Sequence, residues 1–288
     1  MTSMKTWLAR ILLGLLGATV LLVAAGYFTL RSMGLFRAPE YDTQAPVLPT
    51  LGSPAILVFY KTSGYVHTEA IPAANALLVE LAEELGYAIY VTDNGAVINP
   101  EQLSQFDVLV WNNNTGSVLS PQQQTHFRRW LENGGKWLGL HSASDNHFSW
   151  DWYVNDVIGA GFNGATRIPQ QPRAQLVFEN RDHPVLSGLP ASIWLNDEFY
   201  SFSNSPRDTS TVLATLDESS YIEEQALVRE QLRMGDHPII WVRRVGEGAA
   251  VYSAIGHSAD TYAIPEYRRL LSNALHWLIQ GDHDSPAP

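Results

Sequence analysis

Lys136-Trp137-Leu138 runs into Gly139-Leu140-His141-Ser142-Ala143, and this stretch constrains the chain more than any other. The apolar residues read as a buried strand. The small residues two before and two after a central position read as a tight turn, the strand-to-turn-to-helix elbow on which many α/β enzymes mount their reactive group. Here the central residue is His141. The sequence contains no cysteine, so thiol chemistry at the elbow is excluded, together with disulfides and thiolate metal sites. The scaffold is that of a catalyst whose expected nucleophile is missing. Ser142 stands one position beyond the elbow residue, which makes it the weaker nucleophile candidate.

The elbow strand comes fourth in a βα rhythm. Strands are predicted over 55–60, 88–91 and 107–111; between them lie a helix over 71–85, closed by Gly86, and one that Ser120-Pro121 caps and Gly134-Gly135 stops. Such alternation implies a parallel sheet with ligands outside its carboxyl edge, where His67, Asn114 and His141 all fall. Beyond residue 170 the rhythm changes to strands over 174–178, 192–203, 211–216, 238–245 and 249–254, then a final helix over 266–280. Gly246-Glu247-Gly248 joins the last two strands as a hairpin. No linker-like composition divides the halves, so residues 54–281 read as one α/β domain with an antiparallel C-terminal elaboration, followed by a flexible tail over 282–288.

The N-terminus carries twenty uncharged residues, Ile11 to Leu30, between Lys5 and Arg10 on one side and Arg31 and Arg37 on the other, the length of one bilayer span. Tyr27 and Phe28 suit the interfacial belt. Val23-Ala24-Ala25 offers cleavage before Gly26, but the apolar run continues past that site, which favours an uncleaved anchor over a signal peptide. Residues 1–30 are expected to be a single-pass membrane anchor and residues 31–53, with Pro39, Pro46 and Pro49, a tether. A slight excess of positive charge before the span places the globular part outside the cytoplasm; secretion after cleavage is the alternative. A net charge of -11 without a Lys/Arg cluster argues against a nucleic-acid partner. Nine Trp and twelve Tyr suit flat amphipathic ligands such as sugars, although core packing is the commoner use of any one ring.

At a helix N-terminus His141 would be kept neutral by the macrodipole, as suits a base or a hydrogen-bond donor. Asp145, four residues on, shares its face if the helix continues and would orient it. Asp197 and Glu198 are adjacent on a predicted strand and so point to opposite faces; Glu198 with Tyr200 forms the inward pair. His183 and His237 each precede proline, where a structural role is at least as expected as binding. Arg207 and Arg244 are candidates to hold ligand oxygens, weighed against ordinary surface pairing. Metal binding by His67, His141, His257 and Asp145 stays open, because none of them has the short spacing that makes a zinc motif specific.

Gly64-Tyr65-Val66-His67, Asn114-Thr115-Gly116, the elbow through Asp145, Asp182-His183-Pro184, Asp197-Glu198-Phe199-Tyr200, Asp236-His237-Pro238-Ile239, Trp241 and Gly256-His257 together resemble the ThuA-like family, named for trehalose utilisation, within the class I glutamine amidotransferase-like superfamily. The resemblance implies a flavodoxin-like layered sheet and a place in carbohydrate metabolism. It also implies that His257 stands where amidotransferases keep the histidine of their Cys-His-Glu triad, with Asp260 near the acid. One departure is visible: the family pattern leads one to expect Gly-His after Phe162, and this chain has Gly164-Ala165. The expectation is an exported, membrane-tethered protein working by acid–base chemistry on a sugar or keto-sugar, and not a glutamine amidotransferase. His141, His257, Asp145 and Glu198 are its catalytic candidates, with His67, Asn114, Thr115, Tyr200, His237 and Arg244 around the substrate. No organic cofactor is called for; a carbohydrate ligand and a sugar oxidoreductase partner are. The alternative is a non-catalytic carbohydrate-binding module on the same scaffold.

Fractionation tests the anchor. The full-length chain is expected in the membrane pellet and a chain starting near Pro46 in the soluble fraction. Full-length protein recovered wholly soluble at its uncleaved mass overturns the anchor, and soluble protein beginning at Gly26 establishes the signal peptide.

Overall fold

A computed structural model describes residues 2–32, 38–145 and 150–281. Arg37 and the tail expected over 282–288 lie outside the described residues. β1 (Ala55–Phe59) and β3 (Val108–Asn112) are buried at every position, and β4 (Lys136–Leu140) at all but the first. Continuous apolar runs of this kind belong to parallel strands covered on both faces. β2 (Ala88–Thr92) is only partly buried and forms the edge. The first crossover is α2 (Ala70–Leu85), which ends where Gly86 takes a left-handed φ of 73°, so that its N–H reaches back to the Glu83 carbonyl. A short helix, α3 (Pro100–Leu103), leads into β3, and α4 (Pro121–Glu132) opens with a capping box between Ser120 and Gln123.

The second half contributes β5 (Phe162–Ala165), β6 (Arg173–Phe178), β7 (Ser192–Asn196), β8 (Tyr200–Phe202), β9 (Thr211–Leu216), α5 (Ala226–Leu232), β10 (Pro238–Val245), β11 (Gly248–Ser253), α6 (Ala259–Ala263) and α7 (Pro265–Gln280). One nine-stranded sheet runs through both halves in the order β2-β1-β3-β4-β11-β10-β9-β6-β7. β11 joins β4 in parallel, while β10 returns antiparallel to it through the predicted hairpin. The carboxyl ends of β1, β3, β4 and β11 therefore share one edge of the sheet.

The single strand predicted over 192–203 is a correction. It is two strands in two sheets: β7 closes the large sheet, whereas β8 pairs with β5 in a separate two-stranded sheet, and Asp197-Glu198-Phe199 is the crossing between them. Before the domain, α1 (Thr2–Ser32) holds an apolar stretch, Thr6–Thr29, long enough to cross a membrane or to serve as a signal sequence, and none of it is buried against the rest of the chain. Part of the segment read as a tether is fastened down: Asp42 accepts hydrogen bonds from Lys61 Nζ at 2.6 Å and the Gly95 amide at 2.8 Å, and Gln102 donates to the Pro46 carbonyl.

An aromatic cluster braces the elbow strand from below. Trp111 packs against Phe127 and Tyr153 with ring centroids 5.0 and 4.9 Å apart, and the buried Tyr153 hydroxyl donates to the Ala143 carbonyl at 2.7 Å. At the other end of the sheet β11 starts on a glycine because a Cβ at 248 would strike the carbonyl oxygens of Leu131 and Gly135, backbone atoms that cannot step aside. Gly248→Ala is therefore expected to cost about 1–3 kcal/mol in chemical denaturation. Gly52→Ala, with nothing near its Cβ, should stay within about 0.5 kcal/mol of the parent.

Candidate active site

Four chain segments meet at the shared carboxyl edge. His141 follows β4 with a φ of 47°, the sharp elbow geometry the sequence implied, and is fully buried. Its Nδ1 lies 2.9 Å from the Ala254 carbonyl oxygen, which can only accept; Nδ1 therefore carries a proton and donates it, and Nε2 is turned toward the site. That Nε2 is 3.4 Å from Glu198 Oε2 and 3.3 Å from His257 Nδ1, and His257 Nδ1 is 3.1 Å from the same carboxylate oxygen. His67, on the loop after β1, sets its ring edge-on to both other imidazoles at centroid distances of 4.9 Å, with Nδ1 3.4 Å from Ser142 Oγ. One ring nitrogen or carboxylate oxygen from each of His67, His141, Glu198 and His257 lies within 4.8 Å of all the others.

The electrostatics follow from burial and from this crowding. Burial, and then the charges of His141 and His257, pull the His67 imidazole down to about 2, so it is neutral. Burial pushes the Glu198 carboxyl up, but hydrogen bonds with His141 and His257 outweigh that and hold it well below the usual carboxylate range. For His257 burial acts downward, and the Glu198 bond and charge more than offset it, so its basicity is raised. Burial lifts Asp145 to about 7, the charge of His141 opposing and that of Glu198 adding. The Tyr200 hydroxyl is pushed far up by burial and stays protonated; its ring lies over His141 with centroids 4.3 Å apart.

His67, His141, His257, Glu198 and Tyr200 thus come together as the sequence led one to expect. Other expectations need correction. The elbow continues as a single 3₁₀ turn, His141–Ser144, with Asp145 as its C-cap, so among the described residues no α-helix starting at His141 puts Asp145 on its face or its macrodipole behind that ring. Asp197 and Glu198 lie on the crossing between β7 and β8, not on a strand, and both serve the site: Asp197 accepts from the amides of Glu198, Gly256 and His257 and from Thr261 Oγ1, fixing the backbone that carries His257 while Glu198 meets its ring. The acid beside His257 is Glu198; Asp260 is exposed. The two adjacent carboxylates in Asn196-Asp197-Glu198 break the alternation of a half-buried strand, and that was the available signal.

Asn114 and Thr115 position the His67 loop. Thr115 Oγ1 donates to the Tyr65 carbonyl at 2.6 Å and Asn114 Nδ2 to the Lys61 carbonyl at 2.9 Å. His237 has both ring nitrogens engaged, by Glu218 at 2.9 Å and by the Tyr200 carbonyl at 2.8 Å, so it supports Tyr200 from behind and is not free to hold substrate. Arg244 pairs in register with Ala249 at the far end of the hairpin, beside Glu247 at 3.8 Å, away from the site. Arg207 bridges Glu179 and Asp236 at the surface, and His183 caps a turn by accepting from the Val185 amide. Tyr65, which the sequence marks only as part of its motif, also belongs to the site: its ring is stacked against His257 with centroids 6.5 Å apart and is 40% exposed. A cavity of about 780 Å³ adjoins His67, Lys61 and Ser63, and one of about 350 Å³ has Glu198 and Ala165 in its wall. Ala165, in place of the expected histidine, stands opposite Tyr200 in the β5–β8 pair.

A buried cluster of imidazoles and a carboxylate at the ligand-binding edge of a mixed α/β sheet defines the class. Residues 55–278 match the ThuA family, described as trehalose utilisation, and the chain belongs to that family. Among solved structures, a ThuA-like protein from Bacteroides uniformis superposes with a TM-score of 0.68 at 22% identity, covering 85% of this chain and 97% of the other. One from Parabacteroides merdae gives 0.62 at 16% identity, over 82% and 94%. At these identities the likeness is one of fold. Among curated proteins none matches the sequence.

The pair beneath Tyr200 has a pH signature. The hydrogen bond from His237, helped by amides of Met234 and Gly235 against the opposing effect of burial, pulls the Glu218 carboxyl down to about 2. A carboxyl depressed in the folded state is protonated more easily when unfolded, so its stabilisation is present above about pH 4.5 and is lost as the pH falls toward about 2. Glu218→Gln should lower the melting temperature near neutrality and flatten its decline between about pH 4.5 and about pH 2, the span of that titration. A decline as steep as the parent's removes Glu218 as its source.

Proposed function

We propose that this protein is an exported, membrane-tethered enzyme of carbohydrate utilisation that moves a proton next to the carbonyl of a keto-sugar. The observation that carries this reading is the convergence of His141, His257, Glu198 and His67 within 4.8 Å at the edge where α/β sheets bind ligands. A positive charge held at this cluster beyond the one the Glu198 carboxylate neutralises can polarise a carbonyl oxygen, which acidifies the neighbouring C–H. Asp145 is near enough to His141 and Glu198 for their charges to act on it, and its carboxyl, lifted to about 7, is matched to taking and returning a proton near neutral pH. The exposed face of Tyr65 offers a platform for a sugar ring. Isomerisation and elimination of a keto-glycoside begin with this proton transfer, elimination releasing the aglycone alcohol, and net hydrolysis follows when water adds to the enone that remains. None of these needs a nucleophile from the protein, in keeping with an elbow that lacks a cysteine. A keto-sugar arises by oxidation of a sugar hydroxyl, so a sugar oxidoreductase is the partner activity that supplies it. The apolar stretch Thr6–Thr29 supports tethering at a membrane.

The test is proton exchange. Incubated in deuterium oxide with a panel of keto-glycosides, the enzyme is expected to place deuterium on the carbon beside the carbonyl, read by NMR. Asp145→Asn and His257→Ala should each lower the rate about 10²–10⁴-fold with the melting temperature kept. Binding of the same sugars without exchange or turnover would make the protein a carbohydrate-binding module and overturn the enzymatic reading.

A further inference from the structure

We infer that His67, His141, Glu198 and His257 form a binding site for one divalent transition-metal ion of the zinc class. The argument starts from lone pairs. His141 spends its ring proton on the Ala254 carbonyl, so in the neutral ring Nε2 presents a lone pair, and it faces Glu198 Oε2 at 3.4 Å and His257 Nδ1 at 3.3 Å. A single proton on His257 Nδ1 answers Glu198 at 3.1 Å and leaves the His141 and Glu198 lone pairs opposed. A second proton, on His141 Nε2, relieves that contact but sets two N–H groups against each other at 3.3 Å. One cation at the centre satisfies all three atoms together.

The distances fit. Ligand atoms about 2.0–2.1 Å from a tetrahedral zinc are about 3.3 Å apart. The three separations here are 3.1, 3.3 and 3.4 Å, one face of such a tetrahedron. The ligating atom of His67 is held only within 4.8 Å of the others, and His67 also lines the cavity of about 780 Å³. Three close ligands form the arrangement in which a metal keeps a site open for a substrate oxygen. Imidazoles with a carboxylate, and no thiolate, select a borderline first-row cation. The surroundings hold the ligands as metal sites require: the Ala254 carbonyl fixes the tautomer of His141, and Asp197 fixes the amides of Gly256 and His257. Seen this way the positive charge invoked in the proposed function is a metal ion, and the inference rests on that reading only for what the ion does, not for whether it binds.

The experiment uses the full-length chain in detergent, without a histidine tag and purified without chelator. Elemental analysis is expected to find about one zinc-class ion per chain. After chelator stripping, cobalt(II) should restore one equivalent with the intense visible absorption of a four- or five-coordinate ion, and X-ray absorption should show a nitrogen/oxygen shell at about 2.0–2.1 Å with scattering from two or three imidazoles. Glu198→Gln and His257→Ala should weaken cobalt at least about 100-fold, and Arg207→Ala should not. Absent cobalt absorption together with no rise in melting temperature on adding zinc overturns the inference, as does a bound ion with no imidazole around it. The spectra of the unmodified chain decide the matter even where a variant fails to fold. Absent cobalt binding together with exchange that persists undiminished sinks the metal and leaves the keto-sugar reading standing. Cobalt bound as described, with no exchange on any keto-sugar, does the reverse.

Discussion

The Asp197 carboxylate holds this architecture together. It is wholly buried and accepts from the Glu198, Gly256 and His257 amides and the Thr261 hydroxyl at 2.7–2.9 Å. A buried carboxylate is stable only when its lone pairs are answered, and four donors answer it here. Its chain position gives the arrangement its consequence. Asp197 follows β7 at the outer edge of the sheet, whereas Gly256, His257 and Thr261 follow β11 in the middle, so one side chain clamps the antiparallel elaboration onto the parallel half. Glu198, the next residue, is thereby delivered to His141 and His257.

The elbow holds a histidine in a left-handed conformation, with φ 47°. A positive φ at a non-glycine residue costs about 1–3 kcal/mol and survives only when its surroundings over-determine it. At His141 they do: Tyr153 bonds the Ala143 carbonyl, and the Tyr252 hydroxyl lies 2.7 Å from both the His141 carbonyl and Ser144 Oγ. A cysteine or serine at this position would present one small nucleophilic atom. An imidazole pinned through Nδ1 presents instead a directed lone pair about one ring further into the pocket, which suits polarising or ligating a group and does not suit attack.

How much of this was legible depended on whether the information was local. Strands such as Ala55–Phe59 announce themselves because a buried parallel strand is apolar at every position, and the boundaries of α2 and α4 follow from Gly86 and from Ser120 with Gln123. His67, His141 and His257 could be placed on one edge because each follows a parallel strand, and the rule for such sheets needs no side-chain coordinates. For Glu198 the local pattern points to the site by a partly wrong route: strand alternation does not run through Asp197 to Phe199, where the chain leaves one sheet for another, and no local pattern reports a carboxylate that bonds residues sixty positions away. Asp145 was assigned by helical spacing across a turn that stops at Ser144. His237 and Arg244 failed differently: both look like binding residues by type, and only the tertiary structure reveals that Glu218 and the Tyr200 carbonyl occupy the first, or that the second sits at the far end of its hairpin.

The two halves of the sheet bring opposite charge to the site, and this links assembly to chemistry. The parallel half and its returning strand supply three imidazoles. The elbow and the His67 loop are held by bonds local to that half, from Tyr153, Tyr252, Asn114 and Thr115. The antiparallel half supplies the carboxylate, on the residue that follows the clamped Asp197. Without Glu198 the cluster would be three imidazoles whose rings crowd within about 5 Å of one another, a place hostile to positive charge: burial first, and then His141 and His257, already depress the basicity of His67. With it, His257 becomes more basic than a free imidazole and the cluster can hold a cation or stabilise a developing oxyanion. The carboxylate therefore converts a packed aromatic corner into a functional one, and its dependence on the Asp197 clamp makes the docking of the elaboration a condition for chemistry as well as for stability.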